Sequence, residues 1–378
     1  MKTRPLKVVL VHEFLTQYGG GERILEQFTQ MFPDAPIYTL IYDPLKMKDA
    51  FGDRQIISSI LQNLPFSKQY YKWHLPLMPW ATEHIKLPAD VDLVLSDSSA
   101  FAKGVNVSKN IPHLCFLHTP TRYLWSVRNE YVRDAPIPFY IRPFVQPVLS
   151  WIKRWDYLAA QKPDAYIANS TNVARQMRRY YDRSPEKIIF PFVELKKFAL
   201  SAKIQDYFLI LTRLEPYKRV DLVLEACADL KLPLKVAGNG SMLSEYKTKY
   251  RSAPTIEFLG RVSDQALPAL YAQARAFIFP GEEDAGITPL EAMAAGRPVI
   301  AYGKGGALES ILPGITGEFF YEQSAAALKG ILNQFDEKRY NQKRIREHVK
   351  QFDVSIFTQS VMQIVENLIS QQRSKNGS

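Results

Sequence analysis

Pro280-Gly-Glu-Glu-Asp-Ala-Gly-Ile-Thr-Pro-Leu-Glu-Ala-Met-Ala-Ala-Gly-Arg-Pro298 is the stretch on which the reading of the fold turns. It follows Arg275-Ala-Phe-Ile-Phe-Pro280, an apolar run short enough to be a buried strand, and it ends in a second such run, Pro298-Val-Ile-Ala-Tyr302. Between them an acidic loop leads into a helix opening. Thr288 is placed to be the N-cap, Pro289 suits the first helical position, and Glu291 completes a capping box. Glu283 then stands at the carboxyl end of a strand and Glu291 in the first turn of a helix, which in a parallel α/β sheet is the ligand crevice. Carboxylates there accept hydrogen bonds from sugar hydroxyls, and a helix amino end favours anions. A capped helix after an acidic turn would look the same, so the partners of this stretch must decide.

Working outward, the second half begins with Tyr207-Phe-Leu-Ile-Leu-Thr-Arg213 as a strand. Leu214-Glu-Pro-Tyr-Lys-Arg219 turns into a helix that includes Val220 to Cys227. Leu234-Lys-Val-Ala-Gly238 and Ile256-Glu-Phe-Leu-Gly260 are the next strands. Arg213 and Lys218 flank a strand-to-helix turn, where two cations and unpaired N–H groups make a diphosphate site; a solvated basic turn is the alternative. Gly303-Lys-Gly-Gly306 opens a further helix and is another candidate anion-contacting turn.

The first half alternates in the same way. Lys7 to His12, Ile37 to Tyr42, Val91 to Ser96, His113 to His118 and Ala165 to Asn169 read as strands. Gly19-Gly-Gly-Glu-Arg-Ile24 follows the first strand, and Ile24, Leu25, Phe28 and Phe32 then fall on one helical face. It lacks a Gly-x-Gly-x-x-Gly pattern, so Gly19 to Gly21 is either a turn or an approach to a phosphate. His118 stands out at a strand end, whereas His12, His74, His84, His113 and His348 are taken as structural. Alternating strands and helices make a doubly wound α/β fold. A pause around Phe190 to Phe198 divides it into an N-terminal domain, residues 1–195, and a second domain, residues 203–350. An amphipathic helix at about 354–371 closes the chain, with a frayed polar tail after Gln371.

At 378 residues, 46% hydrophobic and 23% charged, the chain has the composition of a soluble globular protein of two domains. Cys115 and Cys227 lie far apart in apolar surroundings, which fits a reducing compartment and neither a disulfide framework nor zinc. The net charge of +10 calls for an anionic partner. The excess sits in two patches mixed with aromatics, Lys68 to Lys86 and Arg122 to Arg154, the latter holding Tyr123, Trp125, Tyr131, Phe139, Tyr140, Phe144 and Trp151. Such a mixture fits a peripheral membrane face, with single-stranded nucleic acid or plain core aromatics as alternatives. Asp90-Val-Asp92 opens a strand, at the amino end of the sheet, and reads as structural rather than as a metal site.

With Arg213, Lys218, Gly238, Gly260 and the Glu283/Glu291 pair in this order, the chain resembles the retaining glycosyltransferases of family 4. The resemblance implies the GT-B architecture: two Rossmann-like domains facing a cleft, an acceptor-binding first domain, a donor-binding second one, and a C-terminal helix crossing back to the first. Gly19-Gly-Gly-Glu-Arg23, His118-Thr-Pro-Thr-Arg-Tyr-Leu-Trp125 and Ala301-Tyr-Gly-Lys-Gly-Gly-Ala-Leu-Glu309 look like bacterial mannosyltransferases that use GDP-mannose to build lipid-linked surface polysaccharides. Carried over by position, Arg213 and Lys218 would hold the donor diphosphate and Glu291 the ribose. Glu283 would contact sugar hydroxyls, Arg261 and Val262 would lie near the base, and the backbone of Gly286, Ile287 and Thr288 would face sugar or phosphate. Gly20 and Gly21 would approach the phosphates and His118 the sugar near its reacting carbon. No cofactor and no metal is implied, only the nucleotide sugar as substrate. The expected partners are a polyprenyl-diphosphate-linked glycan and the inner face of the plasma membrane, reached from the cytoplasm, without nucleic acid. Ala285 departs from the phenylalanine usual in the family. A UDP-sugar donor, a nucleotide-sugar epimerase on the same fold, and a non-enzymatic anion binder are the rival expectations.

Overall fold

The computed structural model describes residues 5–126, 128, 132 and 142–376. The chain divides into two compact units, Met1–Ile189 with Thr358–Ser378, and Phe190–Phe357. Each is built on one all-parallel sheet.

In the first unit seven strands run in the order β3-β2-β1-β4-β5-β6-β7. They are β1 (Val8–Leu15), β2 (Ile37–Tyr42), β3 (Ile56–Ser58), β4 (Leu93–Ser98), β5 (His113–Leu117), β6 (Ala165–Ala168) and β7 (Lys187–Ile188). β1, β4 and β5 are buried almost throughout, as strands covered by helices on both faces must be. The second unit orders six strands β10-β9-β8-β11-β12-β13: β8 (Phe208–Leu211), β9 (Leu234–Ala237), β10 (Ile256–Gly260), β11 (Ala276–Phe279), β12 (Val299–Tyr302) and β13 (Gly317–Phe320). In both sheets the strand order reverses in the middle, at β1/β4 and at β8/β11, and ligand crevices of open α/β sheets form outside the carboxyl ends at such points.

Three strands lie outside the sequence reading, β3, β7 and β13, and all three are edge strands of two to four residues. An edge strand buries little and is too short to show a periodicity. The stretch from Ile56 to Lys86, irregular in sequence, also holds short helices at Ser67–Tyr70 and Met78–Glu83.

The last helix runs Val354–Asn376, past the expected stop at Gln371. Phe357, Val361, Ile364, Val365 and Ile369 are buried along it. Its end is tied to the first unit, because Gln372 donates to the Lys109 carbonyl at 3.0 Å and Arg373 lies 3.6 Å from Asp92. These partners, invisible to local polarity, hold the tail helical. Asp90 pairs with Lys7 at 2.7 Å and Asp92 accepts from the Lys7 N–H, so both acids serve the amino end of the sheet. Among the described residues no helix is long and apolar enough to cross a membrane, and no group of three or more His, Cys, Asp and Glu side chains could hold a metal ion.

Candidate active site

In the second unit the chain leaving β8 passes Arg213 and enters a 3-10 turn, Pro216–Lys218, before the helix Val220–Asp229. The chain leaving β11 passes Gly281 and the acidic loop. Lys218 and Glu283 therefore meet at the switch point: Nζ is 2.7 Å from Oε1, with side chains only 12% and 21% exposed. At that burial a charge pair is screened less than on an open surface. Arg213 does not join it directly. Its Nη2 donates to the Tyr217 hydroxyl at 2.8 Å, and the Lys218 ammonium lies 5.1 Å from the centre of the Tyr217 ring. Tyr217, which the motif reading passed over, thus stands between the two cations.

The acidic loop is fixed by backbone. The Gly306 N–H donates to the Glu283 carbonyl at 2.8 Å. Gly305 has φ +62°, and a Cβ there would fall 2.2 Å from the same carbonyl oxygen, so this glycine serves both the left-handed turn and the close approach. The Gly303–Gly306 turn thus supports residues 283–285. The helix it opens is a single turn, Ala307–Ser310.

The helix that follows the acidic loop runs Ile287–Ala294 and its N-cap is Gly286, not Thr288. No side chain caps it, so the capping box is not formed. Gly286 packs closely here: a Cβ on it would stand 3.1 Å from the Pro289 ring and 3.2 Å from Phe279, tighter than most side-chain contacts. The amide groups of Ile287 and Thr288 belong to the first turn, where no intrahelical acceptor exists. Glu291 is buried, 4% exposed, and its Oε2 accepts from the Tyr271 hydroxyl at 2.9 Å. Arg261 and Val262 follow the edge strand β10, exposed and half-buried, with no side-chain hydrogen bond or ion pair to Lys218 or Glu283.

In the first unit the polar residues come from the strands themselves. Parallel register sets His12 of β1 opposite Asp97 of β4, and Asp97 opposite Phe116 of β5. His118, two residues beyond Phe116, returns to the same face. Asp97 therefore bridges two histidines: Oδ2 lies 2.9 Å from His12 Nδ1 and Oδ1 lies 2.5 Å from His118 Nε2. His12 Nε2 is 3.7 Å from Glu22 Oε1, on the helix Gly20–Met31. Burial disfavours a charge on either ring, but hydrogen bonds to Asp97 and Glu22 outweigh it and raise the His12 pKa well above 6.5. For His118 the Asp97 charge and hydrogen bond likewise outweigh burial and raise the value. Burial pushes Asp97 up, yet the charge of His118 and bonds from both rings bring it below 3.8. Gly21 rests on this cluster, since a Cβ there would lie 3.7 Å from His118 and 3.8 Å from His12. Gly20 is the first helical residue, after N-cap Gly19. His12 and Asp97 were not singled out by sequence; only strand register reveals them.

Glu13 points to the other face, where its Oε1 accepts from Ser98 Oγ and from the N–H groups of Ser99, Ala100 and Ala102 at 2.8–3.1 Å. The segment after His118 is anchored by a buried ion pair. Lys103 Nζ is 2.6 Å from Asp156 Oδ1 with both side chains out of solvent. Asp156 also accepts from Thr121 Oγ1, Trp125 Nε1 and the Tyr181 hydroxyl at 2.7–2.8 Å. Trp125 is further stacked on Tyr180 and covered by Lys153, which makes it a packing residue rather than part of an exposed patch. Tyr131, Phe139 and Tyr140 lie outside the described residues.

Two Rossmann-like units of this order, with polar side chains gathered at the switch point of each, define a GT-B protein. The family model "Glycosyltransferase Family 4" matches residues 18–195 and the model "Glycosyl transferases group 1" matches residues 193–352. The chain belongs to the family 4 glycosyltransferases. It is 24% identical over 346 residues to the mannosylfructose-phosphate synthase of Agrobacterium fabrum, covering 81% of this chain and 72% of that one. It is 27% identical over 204 residues to the D-inositol 3-phosphate glycosyltransferase of Streptomyces scabiei, 46% of each chain, so it spans about half the length of that relative. A GDP-mannose-dependent alpha-mannosyltransferase of Mycolicibacterium smegmatis is 37% identical over 106 residues, 28% of each chain. Among solved structures, Anabaena HepE in complex with UDP and glucose superposes with a TM-score of 0.71 at 17% identity, over 96% of this chain and 99% of that one.

Proposed function

We propose that the protein is a retaining glycosyltransferase that moves a hexose, with mannose from GDP-mannose favoured, onto a polyprenyl-diphosphate-linked glycan during surface polysaccharide assembly. The observation that carries this reading is the Lys218–Glu283 pair at the carboxyl ends of β8 and β11. One ammonium and one carboxylate held together there match a substrate that offers both anionic phosphate and sugar hydroxyls. In the reaction the bond from the anomeric carbon to the diphosphate oxygen breaks, and the acceptor oxygen bonds to that carbon on the same face. The acceptor proton leaves with the diphosphate. Charge grows on the departing group, and Lys218, Arg213 and the backbone amides of Gly286, Ile287 and Thr288 meet it. Glu283 orders the sugar hydroxyls, Glu291 the ribose, and Arg261 with Val262 the base. His118 contacts the sugar, and the backbone of Gly20 and Gly21 the phosphates. The relatives whose names specify mannosyl transfer support mannose among hexoses.

Peripheral attachment at the cytoplasmic face of the plasma membrane is part of the proposal. Phe66, Trp73, Leu77 and Trp80 are exposed in one stretch, and Phe144, Trp151 and Leu158 on the helix Arg142–Ala159. Exposed Lys68, Lys86 and Arg154 accompany them. Rings at headgroup depth with cations beside them suit an anionic bilayer.

The test is incubation with a panel of GDP- and UDP-sugars, with and without a lipid-linked acceptor, followed by NMR of the product anomer. Transfer of mannose with its α configuration kept is the expected result. Conversion of the donor sugar without acceptor would identify an epimerase, and inversion at the anomeric carbon would overturn the same-face step.

A further inference from the structure

We propose that Asp97 and His12 are positioning residues, which decide the nitrogen of His118 that is presented to the donor sugar. The identity of the donor rests on the function proposed above; the assignment of nitrogens does not. An imidazole has two distinct nitrogens, and the partner of one fixes the role of the other. His118 Nε2 lies 2.5 Å from Asp97 Oδ1, so it carries the proton and donates inward. Nδ1 makes no hydrogen bond among the described residues, and the side chain is 15% exposed. Nδ1 is therefore the outward atom. The ring cannot easily turn over, because it stands edge-on to Phe116 with centroids 5.2 Å apart and Gly21 packs against Nε2.

Asp97 is held in turn by His12. With Oδ2 bound to His12 Nδ1 and Oδ1 to His118 Nε2, rotation of the carboxylate breaks one bond or the other. Asp97 from β4 and His12 from β1 face His118, and the Glu13 charge acts on it from the opposite face of the sheet. Glu22, from the Gly20–Met31 helix, faces His12. Three carboxylates thus oppose the repulsion between two rings, and a charged His118 presents Nδ1–H as a donor to a substrate oxygen. On deprotonation the same nitrogen becomes an acceptor. An asparagine at 97 could accept from one ring at most and would offer N–H to the other, so the inward lock would fail.

The test reads ring nitrogens directly. In the full chain, ¹⁵N spectra of the histidine rings are recorded across pH for wild type, Asp97→Asn and His12→Gln. The expected wild-type result is a neutral His118 protonated at Nε2 with a titration midpoint above 6.5. In Asp97→Asn the midpoint is expected to fall by about one unit or more, as loss of an adjacent charge does. GDP-mannose hydrolysis is followed in parallel. Expected is a kcat loss of roughly tenfold in Asp97→Asn, typical when an orienting partner is removed, with KM nearly unchanged and the pH limb displaced with the NMR midpoint. Protonation of wild-type His118 at Nδ1 would overturn the proposal, as would an unchanged midpoint and pH profile in a folded Asp97→Asn. If that variant does not fold, His12→Gln and the wild-type spectrum decide. If wild type hydrolyses no GDP-mannose, the donor reading fails while the spectrum still decides the nitrogen.

Discussion

The switch points of the two sheets share a topology and differ in how their side chains are supplied. At β8/β11 the polar residues ride on connections: Lys218 on a 3-10 turn, Glu283 on an acidic loop, Tyr217 between the cations. At β1/β4 they ride on the strands and just beyond, with His12 and Asp97 set opposite each other by register and both almost wholly buried. A loop-borne pair that is partly open can exchange its partner for a ligand. A strand-borne cluster that is closed can only orient what lies at its edge. The proposed roles follow this difference: binding and neutralisation in the second unit, orientation of His118 in the first.

The largest effect is expected where burial is deepest. Lys103→Met leaves Asp156 buried without its cation, and breaking a buried pair on one side typically costs ~3–5 kcal/mol. Thr121, Trp125 and Tyr181 still donate to Asp156, which places the expected loss toward the lower end. Denaturant unfolding of the first-unit transition measures it. A loss below about 1 kcal/mol would show that the anchor of the 119–125 segment is dispensable, and the contrast between a closed first unit and an open second one would weaken.

Lys218→Ala comes next, in the other unit. Removal of a charge-stabilising group commonly lowers turnover by ~100-fold or more, about 2.7 kcal/mol. Stability should change little, because a partly exposed pair contributes modestly. Near-normal turnover at saturating donor would sink the diphosphate role. Loss of folding instead of turnover would make the pair structural, like that of Lys103.

The same contrast explains what could be read from residues alone. Lys218 and Glu283 each follow a buried apolar run at a short offset, so their place just past the ends of β8 and β11 is legible from residues alone. The strands that carry them were legible as buried apolar runs. His12 reads as structural because nothing beside it in sequence marks it. Its partner Asp97 is a neighbour only through the register of β1 and β4, a long-range fact. Thr288 is not the cap, because the helix already begins at Ile287 with Gly286 as its N-cap, two residues earlier than the local capping pattern implies. Edge strands β3, β7 and β13 escaped because each is short and has a single neighbouring strand.

Ala285 probes the open site on a finer scale. It is half-buried, and its backbone runs so close to Gly306 that a Cβ added there would stand 2.7 Å from the Ala285 Cα. A larger side chain must project from the acidic loop. Ala285→Phe is expected to change the ratio of kcat/KM between GDP-mannose and a second sugar nucleotide by roughly tenfold, the scale of adding or removing apolar contacts in a pocket. An unchanged ratio would place residue 285 away from the sugar.

The smallest effect concerns pH and separates the two units most cleanly. His12 and His118 have raised values in the folded chain, so their contribution is fully present below the unfolded value of 6.5 and is lost as pH rises through the folded values. Asp97 has a lowered value; its contribution is present above the unfolded 3.8 and is lost as pH falls through the folded value. The first unit should therefore lose stability as pH climbs above 6.5 through the raised folded values of the two rings, and Asp97→Asn should remove most of that slope. Paired unfolding curves of wild type and variant at the two ends of this range measure it. The wild-type advantage should be widest at the lower pH and narrow toward the upper one. A gap that stays constant would mean that Asp97 stabilises the rings equally in both protonation states, acting as a hydrogen-bond acceptor alone. In that case the first unit would still fix the His118 ring, but not its charge.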